Sequence, residues 1–485
     1  DLELLIHGHT PILQIETHEE KRALDLLVRI ATQNVIPLFK WSVTEGLRRV
    51  DIDLGVQRHN AEPRDVLGHI KSSDVDGIYV LLDFDPYIQE PVNQRYIKEI
   101  AMQFEGGRNK LVFISHKVDM PPGLAKRVAR FELRLPDASA LEHIIRDEAG
   151  RWQKESGKRV ATDADTLQRL MRNLSGLTFN DARRLVRNVI VDDGAITEED
   201  LPEVMRAKYQ LLNRDDVLSF EFETTRFSEV GGMRTLKRWL QQREKIFHGL
   251  IDQPGIDTPR GVLLLGVQGC GKSLAAKAIA GIWKVPLLRF DFGALYDKYI
   301  GESEKNLRES LKTAEVMAPC VMWIDEIEKG IASGNDDGTS RRILGSLLTW
   351  LAENRSSVFI VATANNIDDL PPELIRKGRL DEIFFVDLPK QDIRKQIFSI
   401  HMDKRQVDPS AIDLETLAAA SEGFSGSEIE QAVVSAIYSS YGSDRPMTTQ
   451  SLLKEIRATR PLSVVMDAQI QQLKHWAESR TVPVD

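Results

Sequence analysis

The residues of this sequence that are best suited to chemistry form one glycine-rich stretch, G-V-Q-G-C-G-K-S, at positions 266–273. An apolar, strand-like run over residues 262–265 precedes it, and the helix-forming letters L-A-A-K-A-I-A follow it. In such a strand–loop–helix context the glycines let backbone N–H groups surround phosphates, the lysine adds charge, and the serine hydroxyl binds Mg²⁺. An incidental glycine-rich turn does not explain these flanks. The residues predicted to bind a nucleoside triphosphate here are Gly266, Gln268, Gly269, Cys270, Gly271, Lys272, Ser273 and Leu274.

Two further strand-like runs end in polar residues that complete this chemistry. The run V-M-W-I is followed by Asp325 and Glu326, and the run over residues 358–363 is followed shortly by Asn365. Because parallel strands present their carboxyl ends at one edge of a sheet, all three side chains are expected beside the phosphates. Asp325 would hold Mg²⁺ with Ser273, Glu326 would activate the attacking water, and Asn365 would hydrogen-bond the γ-phosphate. Each residue alone also fits an ordinary strand end, but their order after the glycine loop favours the catalytic interpretation.

The composition fits a folded protein of roughly three domains, since the chain has 485 residues. Lys and Arg total 64 against 73 Asp and Glu, so the formal net charge is −9 and wrapping of nucleic acid is disfavoured. Only two cysteines, Cys270 and Cys320, are present, and a reducing compartment is therefore expected. The longest apolar runs fall far short of the roughly 18 residues that span a bilayer, so no membrane segment is predicted.

From Arg226 to Thr481 the motifs and their order resemble the AAA ATPases, in the clade that includes katanin, the Vps-four type disassembly ATPases and the protease FtsH. The resemblance implies an α/β fold: a parallel sheet with flanking helices over 226–388, a helical lid over 389–460 and a C-terminal helix over 461–485. It also implies an ATP hydrolase that uses Mg²⁺, assembles as a homo-oligomer, expected to be a hexamer, and acts on a protein client. The motifs that carry it are F-S-E-V-G-G, G-V-Q-G-C-G-K-S, K-Y-I-G-E-S-E-K, V-M-W-I-D-E-I-E, A-T-A-N, L-P-P-E-L-I-R-K-G-R-L-D and G-F-S-G-S-E-I.

The same resemblance assigns roles to residues outside the glycine loop. Arg376 and Arg379 look like the arginine fingers that reach the γ-phosphate of a neighbouring subunit, although two solvated basic residues are a plain alternative. An aromatic–hydrophobic–glycine sequence is similar to the pore loop that grips an extended polypeptide, and a buried Tyr-Ile pair is its alternative. The residues of that loop are Tyr299, Ile300 and Gly301. The residues that the resemblance places around the nucleotide base and sugar are Val230, Gly231, Ile397, His401, Gly426 and Ser427.

The first 204 residues repeat the outline of the second half without its chemistry. Four short segments recur at offsets of 247 to 253 residues, which indicates an older duplication. Where the glycine loop belongs, this half has E-T-H-E-E-K-R, and its acid strand ends in Asp83 and Phe84, so Phe84 takes the place of Glu326. We therefore predict a degenerate AAA-like domain over 1–204, with its large part at 1–136, its lid at 137–204 and a linker at 205–225. An unrelated α/β domain is the alternative, and Asp83 with Asp85 is either a metal pair or, more simply, a solvated strand end.

The combination of a loop-less first half, a complete second half and the ending K-H-W-A-E-S-R-T-V-P resembles AAA-domain proteins of algal chloroplast genomes and of cyanobacteria. That resemblance implies the chloroplast stroma or the cyanobacterial cytoplasm, with a link to photosynthesis. The leading function is remodelling or threading of a protein client at the expense of ATP. A nucleotide-controlled assembly scaffold is the second interpretation, and a nucleic-acid motor is the third.

Overall fold

The computed structural model describes residues 1–50, 60–212, 217–221, 229–251, 255–296, 303–332, 339–367, 370–376, 378–443 and 446–485. The chain divides into two compact units. The first unit holds residues 1–144 with 178–184, and the second holds residues 145–177 with 185–485. No helix among the residues described is both long and apolar enough to cross a membrane.

The first unit is built on a six-stranded sheet with the order β3-β2-β4-β5-β1-β6. All neighbouring strands are parallel except β2 and β3, which are antiparallel. Buried apolar side chains cover both faces, as expected for a parallel sheet between helices. The strands are β1 (Ile12–Glu16), β2 (Leu38–Ser42), β3 (Gly46–Arg49), β4 (Ile78–Leu82), β5 (Lys110–Ser115) and β6 (Val128–Phe131). The helices are α1 (Leu2–His7), α2 (Glu20–Gln33), α3 (Pro63–Ser72), α4 (Asp85–Ile88) and α5 (Pro91–Phe104).

Four helices and a small two-stranded sheet follow the first large sheet along the chain. The sequence predicts a linker over residues 205–225, but the structure continues a helix to Leu212 and then adds a strand to the second large sheet. Met205 and Tyr209 of that helix are buried in the core of the second unit, so residues 205–212 form a packed element, in keeping with the lack of a Pro-, Gly- or Ser-rich tether in the sequence. The elements are α6 (Ala138–Ser156), β7 (Ala161–Thr162), α7 (Ala164–Leu174), α8 (Phe179–Asp193), β8 (Ala195–Ile196), α9 (Leu201–Leu212) and β9 (Leu218–Glu221).

The second unit contains a seven-stranded sheet with the order β15-β14-β10-β13-β12-β11-β9. Its neighbours are parallel except β9, which runs antiparallel to β11. The strands after β9 are β10 (Gly261–Gly266), β11 (Leu287–Phe290), β12 (Cys320–Ile324), β13 (Val358–Ala364), β14 (Glu382–Val386) and β15 (Val482–Pro483). The helices are α10 (Arg234–Phe247), α11 (Lys272–Trp283), α12 (Phe292–Tyr296), α13 (Ser303–Val316), α14 (Ile327–Ala332), α15 (Thr339–Glu353) and α16 (Pro372–Ile375).

A separate group of helices follows β14 and has its own apolar core, as a lid does. The predicted C-terminal helix over 461–485 is instead two helices followed by strand β15, which pairs with β14 in the large sheet. The helices of this part are α17 (Gln391–Asp403), α18 (Leu414–Ala420), α19 (Gly426–Ser443), α20 (Thr449–Ala458), α21 (Leu462–Val465) and α22 (Asp467–Ala477).

The two large sheets share one strand order. Five neighbouring strands of the first sheet have the order β2-β4-β5-β1-β6, and five of the second have the order β11-β12-β13-β10-β14. When each set is numbered 1 to 5 along the chain, both sheets have the same order, 2-3-4-1-5. Apolar strands flanked by amphipathic helices produce this architecture because each sheet face must be covered. The predicted fold class, an α/β parallel sheet with a helical lid preceded by a degenerate AAA-like domain, is therefore confirmed.

Candidate functional site

The glycine loop lies between the end of β10 and the start of α11. Lys272 is the first residue of α11, and its ammonium donates hydrogen bonds to the carbonyl oxygens of Gly266 at 2.8 Å and Val267 at 2.9 Å. The side chain is almost fully buried, and burial lowers the pKa of Lys272 to about 8. A cation enclosed by the loop can bind a phosphate with little solvent screening.

The lid helix α19 begins directly against this loop. The backbone N–H of Ser427 donates to the carbonyl of Gly269 at 3.0 Å. Gly269 has φ +77, and a Cβ added there would lie 2.2 Å from Ser427 Oγ. Only glycine therefore fits at this contact, and the structure brings Gly269, Gly426 and Ser427 together.

The predicted Mg²⁺ ligands lie next to each other. Ser273 Oγ donates to Asp325 Oδ1 at 3.2 Å, and Thr363 Oγ1 donates to the same oxygen at 2.6 Å. A hydroxyl beside a carboxylate is the oxygen donor set that Mg²⁺ uses with phosphates, so these residues fit the ion. Thr363 was not predicted, although its place at the end of β13 was available as a signal.

The predicted catalytic pair is also in contact. Asn365 Nδ2 donates to Glu326 Oε1 at 2.9 Å, and Lys329 Nζ lies 2.6 Å from Glu326 Oε2. The backbone N–H of Glu326 donates to Thr363 Oγ1 at 2.9 Å, and Glu326 has a φ of +48. Such a backbone conformation is costly for a residue other than glycine and is held by its surroundings, as is common at active sites.

A second carboxylate, Glu328, lies beneath this pair and was missed at the sequence level. Its Oε1 accepts the backbone N–H of Asn365 at 2.9 Å, and among the residues described its buried Oε2 has no hydrogen-bond partner. Burial raises the pKa of Glu328. Its position two residues after Glu326 in V-M-W-I-D-E-I-E could have indicated it. Glu328 therefore fixes the backbone that presents the Asn365 amide.

A cavity of about 210 Å³ lies between the glycine loop, the lid and the segment before α10. It includes Gly231, Ile397 and Gly426, three of the residues predicted around the base, together with Cys270 of the loop. Burial raises the pKa of Cys270 to about 12, so the thiol stays protonated at neutral pH. The remaining lining residues are Met233, Phe385, Val386, Asp387, Leu388, Pro389, Lys390, Ile393, Pro483, Val484 and Asp485.

Two residues predicted at the base make contacts outside the cavity. The carbonyl of Val230 accepts a hydrogen bond from Lys237 Nζ at 3.3 Å. His401 Nδ1 lies 3.5 Å from Glu430 Oε1 on the lid, and burial lowers the pKa of His401. Neither residue lines the cavity.

The two candidate arginine fingers follow the short helix α16. Arg376 is exposed, and Arg379 is half-buried with its guanidinium donating to the carbonyl of Glu373 at 2.7 Å. The predicted pore loop at 299–301 lies outside the described residues.

The first sheet carries an altered version of the catalytic edge. Phe84 is the second residue after β4, as Glu326 is the second residue after β12. Ser115 Oγ lies 3.2 Å from Asp83 Oδ1 and 2.7 Å from Asp85 Oδ1, so a hydroxyl again contacts the carboxylates at the strand end, as Thr363 contacts Asp325. Phe84 is buried against Trp41. The ligand atoms of the group Asp83, Asp85 and His116 lie within 4.8 Å of one another.

The site is that of a P-loop nucleoside-triphosphate-binding domain, and comparisons with known proteins identify its family. The ATPase family associated with various cellular activities (AAA) matches residues 262–388, and the AAA+ lid domain matches residues 411–455. The SpoVK-like AAA ATPase N-terminal and second domains match residues 1–133 and 139–215.

Relatives of similar length give the same result. The chain is 34% identical to an uncharacterized AAA domain-containing protein ycf46 of Guillardia theta over 99% of this chain and 94% of that protein. It is also 34% identical to the ycf46 protein of Pyropia yezoensis, over 98% and 97% of the two chains. A proteasome-activating nucleotidase of Aeropyrum pernix is 33% identical over 48% of this chain and 60% of its own length. The chain belongs to the AAA ATPase family, with SpoVK-like domains before its ATPase domain.

We predict that Lys272→Ala weakens nucleotide binding by roughly 10-fold or more, because the loop then lacks its enclosed cation. Lys277→Ala is the matched control, since Lys277 lies on the same helix but pairs with Glu221 at 3.0 Å. Titration of both variants with a fluorescent ATP analogue and Mg²⁺ measures the difference. If the Lys272→Ala variant bound the ATP analogue as tightly as the unchanged protein, the assignment of the phosphate loop would be wrong.

Proposed function

We propose that this protein hydrolyses ATP to ADP and phosphate with Mg²⁺ as cofactor. The observation that carries the proposal is the hydrogen-bonded pair Glu326 and Asn365 beside the Ser273–Asp325 oxygen pair. Phosphoryl transfer to water requires a general base, a polar group that orients the water, and oxygen ligands for the metal ion. All three lie together here, at the glycine loop and the ends of β12 and β13.

In this reaction the residues at the glycine loop and at the ends of β12 and β13 have separate roles. Bound Mg²⁺ would supply charge neutralisation of the phosphates, held by Ser273 and Asp325. Glu326 accepts the proton of the attacking water, and Asn365 orients that water and the terminal phosphate. The loop N–H groups and Lys272 hold the remaining phosphate oxygens.

We expect Glu326→Gln to lower the rate of ATP hydrolysis by roughly 10² to 10⁴-fold while nucleotide affinity changes little, because the amide keeps the shape but cannot accept the proton. Steady-state phosphate release and equilibrium ATP binding measure the two effects. Glu382→Gln, on strand β14 and away from the pair, is the control. Full turnover in Glu326→Gln would contradict the role of the base.

We further propose that the active form is a homo-oligomer, a hexameric ring, in which Arg376 and Arg379 act on a neighbour. Both residues lie at the protein surface, where a guanidinium can reach a phosphate held by another subunit. A finger supplied in trans stabilises transition-state charge only when the subunits are assembled.

The test of this arrangement mixes two inactive variants. Arg379→Ala is expected to bind ATP normally but to hydrolyse it at least roughly 10²-fold more slowly. Mixed with Lys272→Ala protein, it should regain turnover at interfaces where an intact loop faces an intact finger. Wild-type activity of Arg379→Ala alone, or no recovery at any mixing ratio, would refute the trans role.

We propose remodelling or threading of a protein client as the use of this hydrolysis. The support is the sequence of the pore loop, Tyr299, Ile300 and Gly301, and the similarity to a proteasome-activating nucleotidase. A nucleotide-controlled assembly scaffold is the second candidate, because the first unit lacks the glycine loop and leaves surface for docking. A nucleic-acid motor is disfavoured by the net charge of −9.

Threading is tested with Tyr299→Ala and an unfolded polypeptide, such as reduced and carboxymethylated lactalbumin. In the unchanged protein the polypeptide should raise the hydrolysis rate, and in Tyr299→Ala the ratio of stimulated to basal rate should fall to about one, because an alanine offers little area to grip. Tyr438→Ala, an exposed tyrosine on the lid, is the control. Stimulation retained in Tyr299→Ala would favour the scaffold.

Two further proposals concern the first unit and the location of the protein. The first unit is proposed to bind no nucleotide, since Phe84 replaces the base and E-T-H-E-E-K-R replaces the loop. It would act through its surface, as a second ring tier or a client platform. We propose a place in the chloroplast stroma or the cyanobacterial cytoplasm, which agrees with the relatives from Guillardia theta and Pyropia yezoensis, and a link to photosynthesis, which rests on the sequence resemblance alone.

A further inference from the structure

Residues 482–485, here called the edge segment, add a strand to the large sheet next to the nucleotide site. Val482 pairs with Phe384 and Pro483 with Phe385 in parallel register, and β14 in turn pairs with β10, which leads into the glycine loop. Because β10, β14 and β15 are parallel, they end at the same edge of the sheet. The residues after β15, Val484 and Asp485, therefore lie at the edge that carries the phosphate loop.

Helix α10 relies on the edge segment for its N-terminal cap. Its N-cap residue, Met233, has a left-handed backbone with φ 57 and ψ 38 and offers no side-chain oxygen to the first helical amides. The carbonyl of Val484 accepts the N–H of Thr235 at 2.8 Å. Asp485 Oδ1 accepts the N–H of Arg234 at 3.1 Å, across a separation of 251 residues. A Ser or Asp at the N-cap position usually supplies this cap, but here the cap comes from a segment that is 251 residues away in the chain.

The capped segment forms one wall of the 210 Å³ cavity. A Cβ added at Gly231 would lie 2.9 Å from Ile397 Cγ1 on the lid, and one added at Gly232 would lie 2.6 Å from Asp485 Oδ2. The backbone here therefore packs closely against the lid and the edge segment, and no side chain larger than that of glycine fits at these two positions. Pro483, Val484 and Asp485 also line the cavity themselves. The edge segment thus builds part of the cavity and holds its opposite wall.

We propose that the edge segment positions the nucleotide base, with Asp485 as the positioning residue through its cap on α10. This inference rests on the proposed function, in which the cavity takes the adenine of ATP or ADP. Asp485 acts on the wall of the cavity and not on the phosphates. Its loss is therefore expected to weaken nucleotide binding and to leave the chemical step intact.

The test uses the full chain with Asp485→Ala and Asp485→Asn. Asp485→Ala is expected to raise the KM for ATP and the Kd for ADP roughly 3- to 20-fold with kcat within about twofold, as loss of a helix cap next to a binding wall predicts. Asp485→Asn should restore both constants, because an asparagine oxygen caps a helix as well as an aspartate does. Asp392→Asn is the control, since Asp392 pairs with the side chain of Arg234 at 3.1 Å and leaves its backbone N–H untouched.

Amide hydrogen exchange measured without nucleotide tests the helix cap directly. Because it needs no ATP hydrolysis, it distinguishes a failure of this inference from a failure of the proposed function. The amides of Arg234 and Thr235 should exchange faster in Asp485→Ala, but not in Asp485→Asn or Asp392→Asn, while exchange elsewhere reports that the chain stays folded. Faster exchange in Asp485→Ala with an unchanged KM and Kd would overturn the positioning role. The same conclusion would follow if Asp485→Asn bound nucleotide as weakly as Asp485→Ala, or if only kcat fell. A wild-type chain that hydrolyses no ATP but binds ADP would refute the proposed hydrolysis and leave the edge segment testable by ADP affinity.

Discussion

The parallel register of β13 between β10 and β12 is the constraint on which the candidate site depends. It places Leu265, just before the glycine loop, opposite Ala364, and Ile324, just before Asp325, opposite Ala362. A slip of one residue would turn the side chains of a strand to the other face. The short bonds from Thr363 to Asp325 and from Asn365 to Glu326 follow from this register, because each joins the ends of two neighbouring strands.

The two large sheets share a strand order but differ at the position of the proposed base. Both sheets also have a hydroxyl beside carboxylates at the strand ends, since Ser115 in the first sheet contacts Asp83 and Asp85. The base position, by contrast, holds Phe84, which packs with Trp41 and Phe113. An aromatic side chain in this place adds buried apolar area, whereas a glutamate there would have to be hydrated or paired. At this position the first sheet therefore has a packed apolar side chain, whereas the second has a carboxylate.

Two lysines of the second unit show that a shifted pKa does not by itself mark a functional site. Burial lowers the pKa of both Lys272 and Lys208 to about 8. Lys208 donates to the carbonyl of Ser175 at 2.6 Å and lies near the buried thiol of Cys320, so its ammonium ties α9 to the C-terminal end of α7. Lys272 donates to loop carbonyls at the sheet edge, where a phosphate can replace them as partner. Position in the fold, rather than the size of the shift, separates the two roles.

The fold class, the family and the residues of the glycine loop were predictable from the sequence, because they depend on local spacing: a strand, a tight turn with glycines, and a helix in immediate succession. It also indicated the repeated sheet, since four short segments recur at a nearly constant offset. Only the tertiary structure revealed that Thr363 and Glu328 support Asp325 and Asn365, that His401 turns to Glu430, and that Asp485 caps α10. These contacts join residues that are up to 251 positions apart in the chain. No local pattern encodes such pairs, because the order and register of the strands decide which distant side chains meet.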